Sequence, residues 1–100
     1  MSPIENEDQQ PAAVRWLVAG RVQGVGFRYF VLGEARRLRI RGDVCNLPDG
    51  RVEVRAWGTP DQLAQLRNAV HVGPRSARVN SLAEADIDQE LSFEGFRVRY

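Results

Sequence analysis

The sequence predicts an α+β fold in which strands and helices follow the order β-α-β-β-α-β. Three observations predict it. Apolar residues return at helical spacing in two stretches, from Phe27 to Leu38 and from Leu63 to Val70. Between them, Arg51 to Trp57 alternates with period two, just after the turn signal Pro48-Asp49-Gly50. Apolar runs outside this block, Val14 to Gly20 and Ala77 to Leu82, supply further strands. Two helices on one face of a single antiparallel sheet is the economical packing for that order, a ferredoxin-like sandwich.

Each element has a local reason. Residues 1–12 are polar and acidic up to Pro11 and are expected to form a disordered tail, with one domain over 13–100. Val14 to Gly20 is apolar on both parities, as suits a strand inside a sheet. A helix follows from Tyr29 to Leu38. Phe27, Phe30, Val31, Ala35 and Leu38 share its inner face, and Glu34, Arg36, Arg37 and Arg39 the outer one. Arg41 to Leu47 and Arg51 to Trp57 form a hairpin, with Val52, Val54 and Ala56 on one face and Glu53 and Arg55 on the other. Thr59-Pro60-Asp61-Gln62 reads as a capped helix start, and Gly73-Pro74 stops that helix. Ala77 to Leu82 and Phe93 to Tyr100 are the last strands, the final one completing an edge. The acidic stretch Ala83 to Ser92 connects them.

Composition narrows the function classes. The chain has 100 residues and a net charge of +1, enough for one modest core and too little charge for nonspecific nucleic-acid binding. All of its basic side chains except His71 are Arg, so a single Arg carries less information than usual. Cys45 is the sole cysteine, which excludes an intrachain disulfide and a Cys-rich metal site and fits a reducing, cytoplasmic setting. No apolar run approaches the ~18 residues of a membrane span, and the N-terminus lacks the pattern of a signal peptide.

The chemistry concentrates in Gly20-Arg21-Val22-Gln23-Gly24-Val25-Gly26-Phe27-Arg28, between the first strand and the first helix. A glycine-punctuated turn can aim several N–H groups at one point, and a helix N-terminus adds partial positive charge there. Arg28 at the helix entrance completes a cradle for a small oxyanion. The turn is expected to bind phosphate.

These residues, with Gly42-Asp43-Val44-Cys45-Asn46, Leu47-Pro48-Asp49-Gly50-Arg51-Val52-Glu53-Val54 and the closing Phe93-Glu94-Gly95-Phe96-Arg97-Val98-Arg99-Tyr100, resemble the acylphosphatase family over about residues 14–100. The resemblance implies hydrolysis of the carboxyl–phosphate bond of acyl phosphates to a carboxylate and inorganic phosphate, by a monomer without metal or other cofactor. It implies that Arg28 binds the phosphate and Asn46 orients the attacking water. Backbone of Gln23, Gly24, Val25, Gly26 and Phe27 surrounds the remaining oxygens. The implied partner is a small acyl phosphate, with no nucleic acid and no membrane. Asp43 and Cys45 depart from the family pattern. Strand alternation places both opposite Asn46, unless a bulge turns Asp43 inward.

Cys45 and Arg51 have the Cys-x5-Arg spacing of cysteine phosphatases, but those need a helix after the loop and here a strand is predicted. Trp16, Trp57, Phe93 and Phe96 suit an RNA-stacking platform or, more simply, a core. His71 reads as a helix C-terminal residue facing the dipole. A domain that binds phosphate without turning it over is a further alternative, which fold alone does not decide.

Overall fold

A computed structural model of the chain describes residues 9–85, 87 and 94–100. The elements are β1 (Ala12–Arg21), α1 (Phe27–Arg37), β2 (Arg41–Asn46), β3 (Val52–Gly58), α2 (Pro60–Val72), β4 (Arg78–Ala85) and β5 (Phe96–Val98). The sheet order is β4-β1-β3-β2-β5. β1 lies inside the sheet, as its two-sided apolar pattern predicts. β5 takes the edge beside β2, but it runs parallel to β2, with Val44 opposite Val98. The sheet is therefore mixed rather than wholly antiparallel.

Boundaries differ slightly from the sequence reading. α1 begins at Phe27, two residues early, because Gly26 takes a left-handed conformation and turns the chain straight into the helix. β4 runs on to Ala85, since Ala83 and Ala85 pair with Leu17 and Arg15 of β1. Pairing with a neighbouring strand overrides the polar composition there. β1 reaches back to Ala12, inside the predicted tail. Residues 1–8 of that tail, 86 and 88–92 of the predicted connection, and Phe93 of the last strand candidate lie outside the described residues.

The core lies between the sheet and the helices. Trp16 and Val18 of β1, Val44 of β2, Val52, Val54 and Ala56 of β3 and Phe96 of β5 meet Phe27, Val31 and Ala35 of α1 and Leu63, Leu66 and Val70 of α2. Each large apolar side chain fully buried stabilises by about 1.5–3 kcal/mol, and this layer fixes α1 against β2. Trp16 is 1 % exposed, and its Nε1 donates to Glu84 Oε1 at 2.7 Å. Of the four aromatic residues offered as a stacking platform, Trp16 and Phe96 lie in this core, Trp57 is exposed, and Phe93 lies outside the described residues.

The other face of the sheet is built differently. It carries Arg15, Asp43, Cys45, Glu53 and Arg55 on the strands and Arg99 just beyond β5. Arg55 holds Asp43 with two donors, Nε to Oδ1 at 2.8 Å and Nη2 to Oδ2 at 2.5 Å. Arg15 Nε donates to Glu53 Oε2 at 2.8 Å, and Arg99 pairs with Glu53 and, at 3.6 Å, with Asp43. Both carboxylates are buried beneath these guanidinium groups.

Candidate active site

The start of α1 and the end of β2 meet across a cavity of about 140 Å³, lined by Val22, Gly24, Gly26, Phe27, Arg28, Tyr29 and Asn46. A single water needs roughly 10–15 Å³ on such a measure, so a tetrahedral anion and a water fit together. Among the described residues no carboxylate lines it.

Two helices in one chain begin in opposite ways. Thr59 caps α2 with a reciprocal box: its Oγ1 accepts from Gln62 N at 3.2 Å, and Gln62 Oε1 accepts from Thr59 N at 2.8 Å. Asp61 sits in that first turn. α1 has none of this. Its cap is Gly26, at φ 76° and ψ 18°, with no side-chain cap and no acid in the first turn. None of the N–H groups from Gln23 to Tyr29 has an acceptor among the described residues. Unpaired helix-start amides, the positive end of the dipole and one guanidinium make an anion site. Gly24, at φ 74°, supplies the second left-handed step that turns the loop's backbone inward.

Asn46 ends β2. Its neighbour two back, Val44, is wholly in the core, and alternation carries Asn46 onto the same helix-side face. The side-chain oxygen Oδ1 is buried without a hydrogen-bond partner among the described residues. A buried acceptor left unpaired costs about 1–3 kcal/mol, and a ligand or water in the cavity would relieve it.

The sequence-predicted residues divide. Gly24, Gly26, Phe27, Arg28 and Asn46 come together around the cavity. Gln23 does not bring its side chain there: its Nε2 donates to Leu47 O at 2.8 Å and Arg51 O at 3.0 Å, pinning the loop to the β2–β3 turn. Val25 packs against the core. Tyr29 lines the cavity and was not singled out in the sequence; its place beside Arg28 in the first turn was the available signal.

Asp43 and Cys45 face away, and the β2–β3 register runs unbroken from Arg41 to Asn46, so no bulge turns Asp43 inward. Cys45 Sγ donates to Glu53 Oε1 at 3.8 Å. Burial pushes its thiol up from the ordinary value, with Glu53 and Asp43 adding to the rise and Arg99 opposing it. Such a thiol is a poor nucleophile, and Val52 after the turn opens a strand rather than a helix. His71 sits in the last turn of α2, as predicted.

Comparison with known proteins gives the family. The acylphosphatase family model matches residues 14–98. An acylphosphatase of Salinibacter ruber is 51% identical over 82 residues, spanning 82% of this chain and 86% of that protein. One from Pasteurella multocida is 44% identical over 86 residues, spanning 86% and 96%. The crystal structure of an acylphosphatase from Bacillus subtilis superposes with a TM-score of 0.84 at 36% identity, covering 91% of this chain and all of that one.

Proposed function

The chain belongs to the acylphosphatase family, and we propose that it hydrolyses acyl phosphates with Arg28 and the open amides of α1 as the phosphate grip and Asn46 as the water holder. One observation carries this assignment: a single cavity joins Arg28, the uncapped start of α1 and the partnerless oxygen of Asn46.

The chemistry asks for little more. An acyl phosphate releases a carboxylate whose conjugate acid has a pKa of about 4, so departure needs no protonating side chain. Phosphoryl transfer then depends on in-line positioning and on stabilising charge at the nonbridging oxygens. Arg28 offers a planar pair of donors and stays charged at working pH. The amides of residues 24–28 take the other oxygens. Asn46 Oδ1 accepts a hydrogen from the attacking water and orients its lone pair toward phosphorus. It does so without the negative charge that an Asp would bring. The water's proton passes to a phosphate oxygen, since no carboxylate or imidazole lines the cavity among the described residues.

No metal enters this scheme, and phosphate release is expected to be equal with and without chelator. On this reading the protein acts as a monomer. A cytoplasmic location fits the free, buried Cys45. Among the described residues no helix is long and apolar enough to cross a membrane.

The test is phosphate release from a simple acyl phosphate. Arg28→Ala should lower turnover by at least about 1,000-fold and weaken competitive inhibition by inorganic phosphate. Arg28→Lys should recover little, because an ammonium cannot make the two-point planar contact. Retained phosphate affinity in Arg28→Ala would overturn the assignment.

A further inference from the structure

Arg28 is held differently from the arginines that pair closely with carboxylates. Arg15, Arg37, Arg51, Arg55 and Arg99 each pair with a carboxylate within hydrogen-bond distance. Arg28 makes no salt bridge among the described residues. Its guanidinium carbon instead lies 5.0 Å from the centre of the Tyr100 ring. The Tyr100 hydroxyl shares a hydrogen bond of 2.7 Å with the hydroxyl of Tyr29, which lines the cavity.

The two kinds of hold differ in what they leave over. A carboxylate consumes guanidinium N–H groups and cancels the charge. An aromatic face attracts the flat side of the cation and leaves its N–H edge free. We propose that Tyr29 and Tyr100 form an aromatic clasp that sets the orientation of Arg28 before substrate arrives, leaving its donors and its charge for the phosphate. Both tyrosines are positioning residues, acting through Arg28, and the proposal rests on the phosphate-binding role of Arg28 given above.

The fold explains why Tyr100 reaches this place. Arg99 N donates to Val44 O at 2.8 Å, which extends the β5 ladder along β2 by one residue. The Arg99 side chain is bound on the open face to Glu53 and Asp43. Alternation then sends the next side chain to the helix side, where the first turn of α1 presents Arg28 and Tyr29. The hydroxyl bond fixes the tilt of the Tyr100 ring; with it as the leading cause, the Tyr100 phenol is raised above its ordinary value and stays neutral under the cation.

The experiment uses the intact enzyme, one acyl phosphate substrate and inorganic phosphate as competitive inhibitor. An exposed cation–aromatic contact corresponds to a change of about 2–5-fold in affinity. Tyr100→Leu should raise KM and the phosphate inhibition constant together by about that factor, with kcat within about twofold and the urea midpoint unchanged. Tyr100→Phe keeps the ring and should recover most of the affinity. Tyr29→Phe should match Tyr100→Phe, and the double Phe variant should be no worse than either, because both remove the same bond. Unchanged or tighter phosphate binding in Tyr100→Leu overturns the clasp. So does an Arg28→Ala background in which Tyr100→Leu still weakens phosphate. If Arg28→Ala lowers phosphate affinity and Tyr100→Leu does not, the clasp fails and the phosphate grip stands. If Arg28→Ala leaves affinity intact, both fall.

Discussion

Cys45 and Asn46 are neighbours on β2, yet alternation sends them to opposite faces of the sheet. Cys45 joins Glu53 among the buried charges of the open face, where burial holds the thiol protonated. Asn46 meets the cavity with an acceptor that has no hydrogen-bond partner among the described residues. If Asn46 holds the attacking water as proposed, its removal should act on the transition state more than on binding. Asn46→Ala is expected to lower kcat by about 100–1,000-fold, the range for a lost transition-state hydrogen-bonding group, while inorganic phosphate binds with nearly unchanged affinity. Steady-state kinetics with phosphate as inhibitor separates the two quantities. A rise in KM alone would show that Asn46 binds substrate rather than placing water.

The two helix starts put the contrast at the level of elements. α2 is closed by its own Thr59 and Gln62, and Gln62 Nε2 also donates to Leu38 O at 3.0 Å, tying the end of α1 to the start of α2. α1 is left open at Gly26. A Cβ at Gly26 meets nothing within 4 Å, so only the backbone at φ 76° resists it. Gly26→Ala should therefore cost about 1–2 kcal/mol of stability through left-handed strain and raise KM by tilting the amides. Thr59→Ala should cost about 0.5–2 kcal/mol and leave KM alone. Urea unfolding and kinetics on both variants test the pairing, and equal effects on KM would contradict it. The start of α2 was legible in Thr59-Pro60-Asp61-Gln62, whereas Gly24-Val25-Gly26 revealed the turn before α1 but not that the helix opens at Phe27, directly after it. The parallel pairing of β5 was not legible, because β5 is only three residues long and its partners Gly42, Asp43 and Val44 are distant in sequence. The Gln23 tether was hidden too, since its acceptors are carbonyls of Leu47 and Arg51, more than twenty residues away. The Tyr29–Tyr100 bond spans 71 positions and leaves no periodic trace.

At the scale of the whole molecule, the ion network on the open face joins β1 through Arg15, β2 through Asp43, β3 through Glu53 and Arg55, and the segment after β5 through Arg99. Alternation placed Asp43, Glu53 and Arg55 on that face from sequence alone, but not their burial, which comes from long guanidinium stems lying over the carboxylates. Glu53 is the centre of this network. Burial alone pushes its carboxyl up, but hydrogen bonds and charge from Arg15 and Arg99 outweigh that and hold it below the ordinary value. A carboxyl depressed in the folded state binds its proton more readily when unfolded. Its contribution is thus fully present above the unfolded value of about 4.3 and is lost as pH falls through the lower folded value. Stability should accordingly hold from neutral pH to about 5 and decline below about 4. Glu53→Gln should lower stability at pH 7 by about 1–3 kcal/mol, the cost of replacing a buried ionised acceptor with a neutral amide that cannot serve both guanidinium groups. The gap between it and the natural protein should close as acid protonates Glu53. Urea unfolding of both proteins at several pH values from 3 to 8 measures that gap, and a gap that stays constant down to pH 3 would remove Glu53 from the centre of the network. The same titration bears on the site, because Arg99 is anchored by Glu53 and fixes the level of Tyr100: Glu53→Gln should raise KM modestly even where the protein remains fully folded.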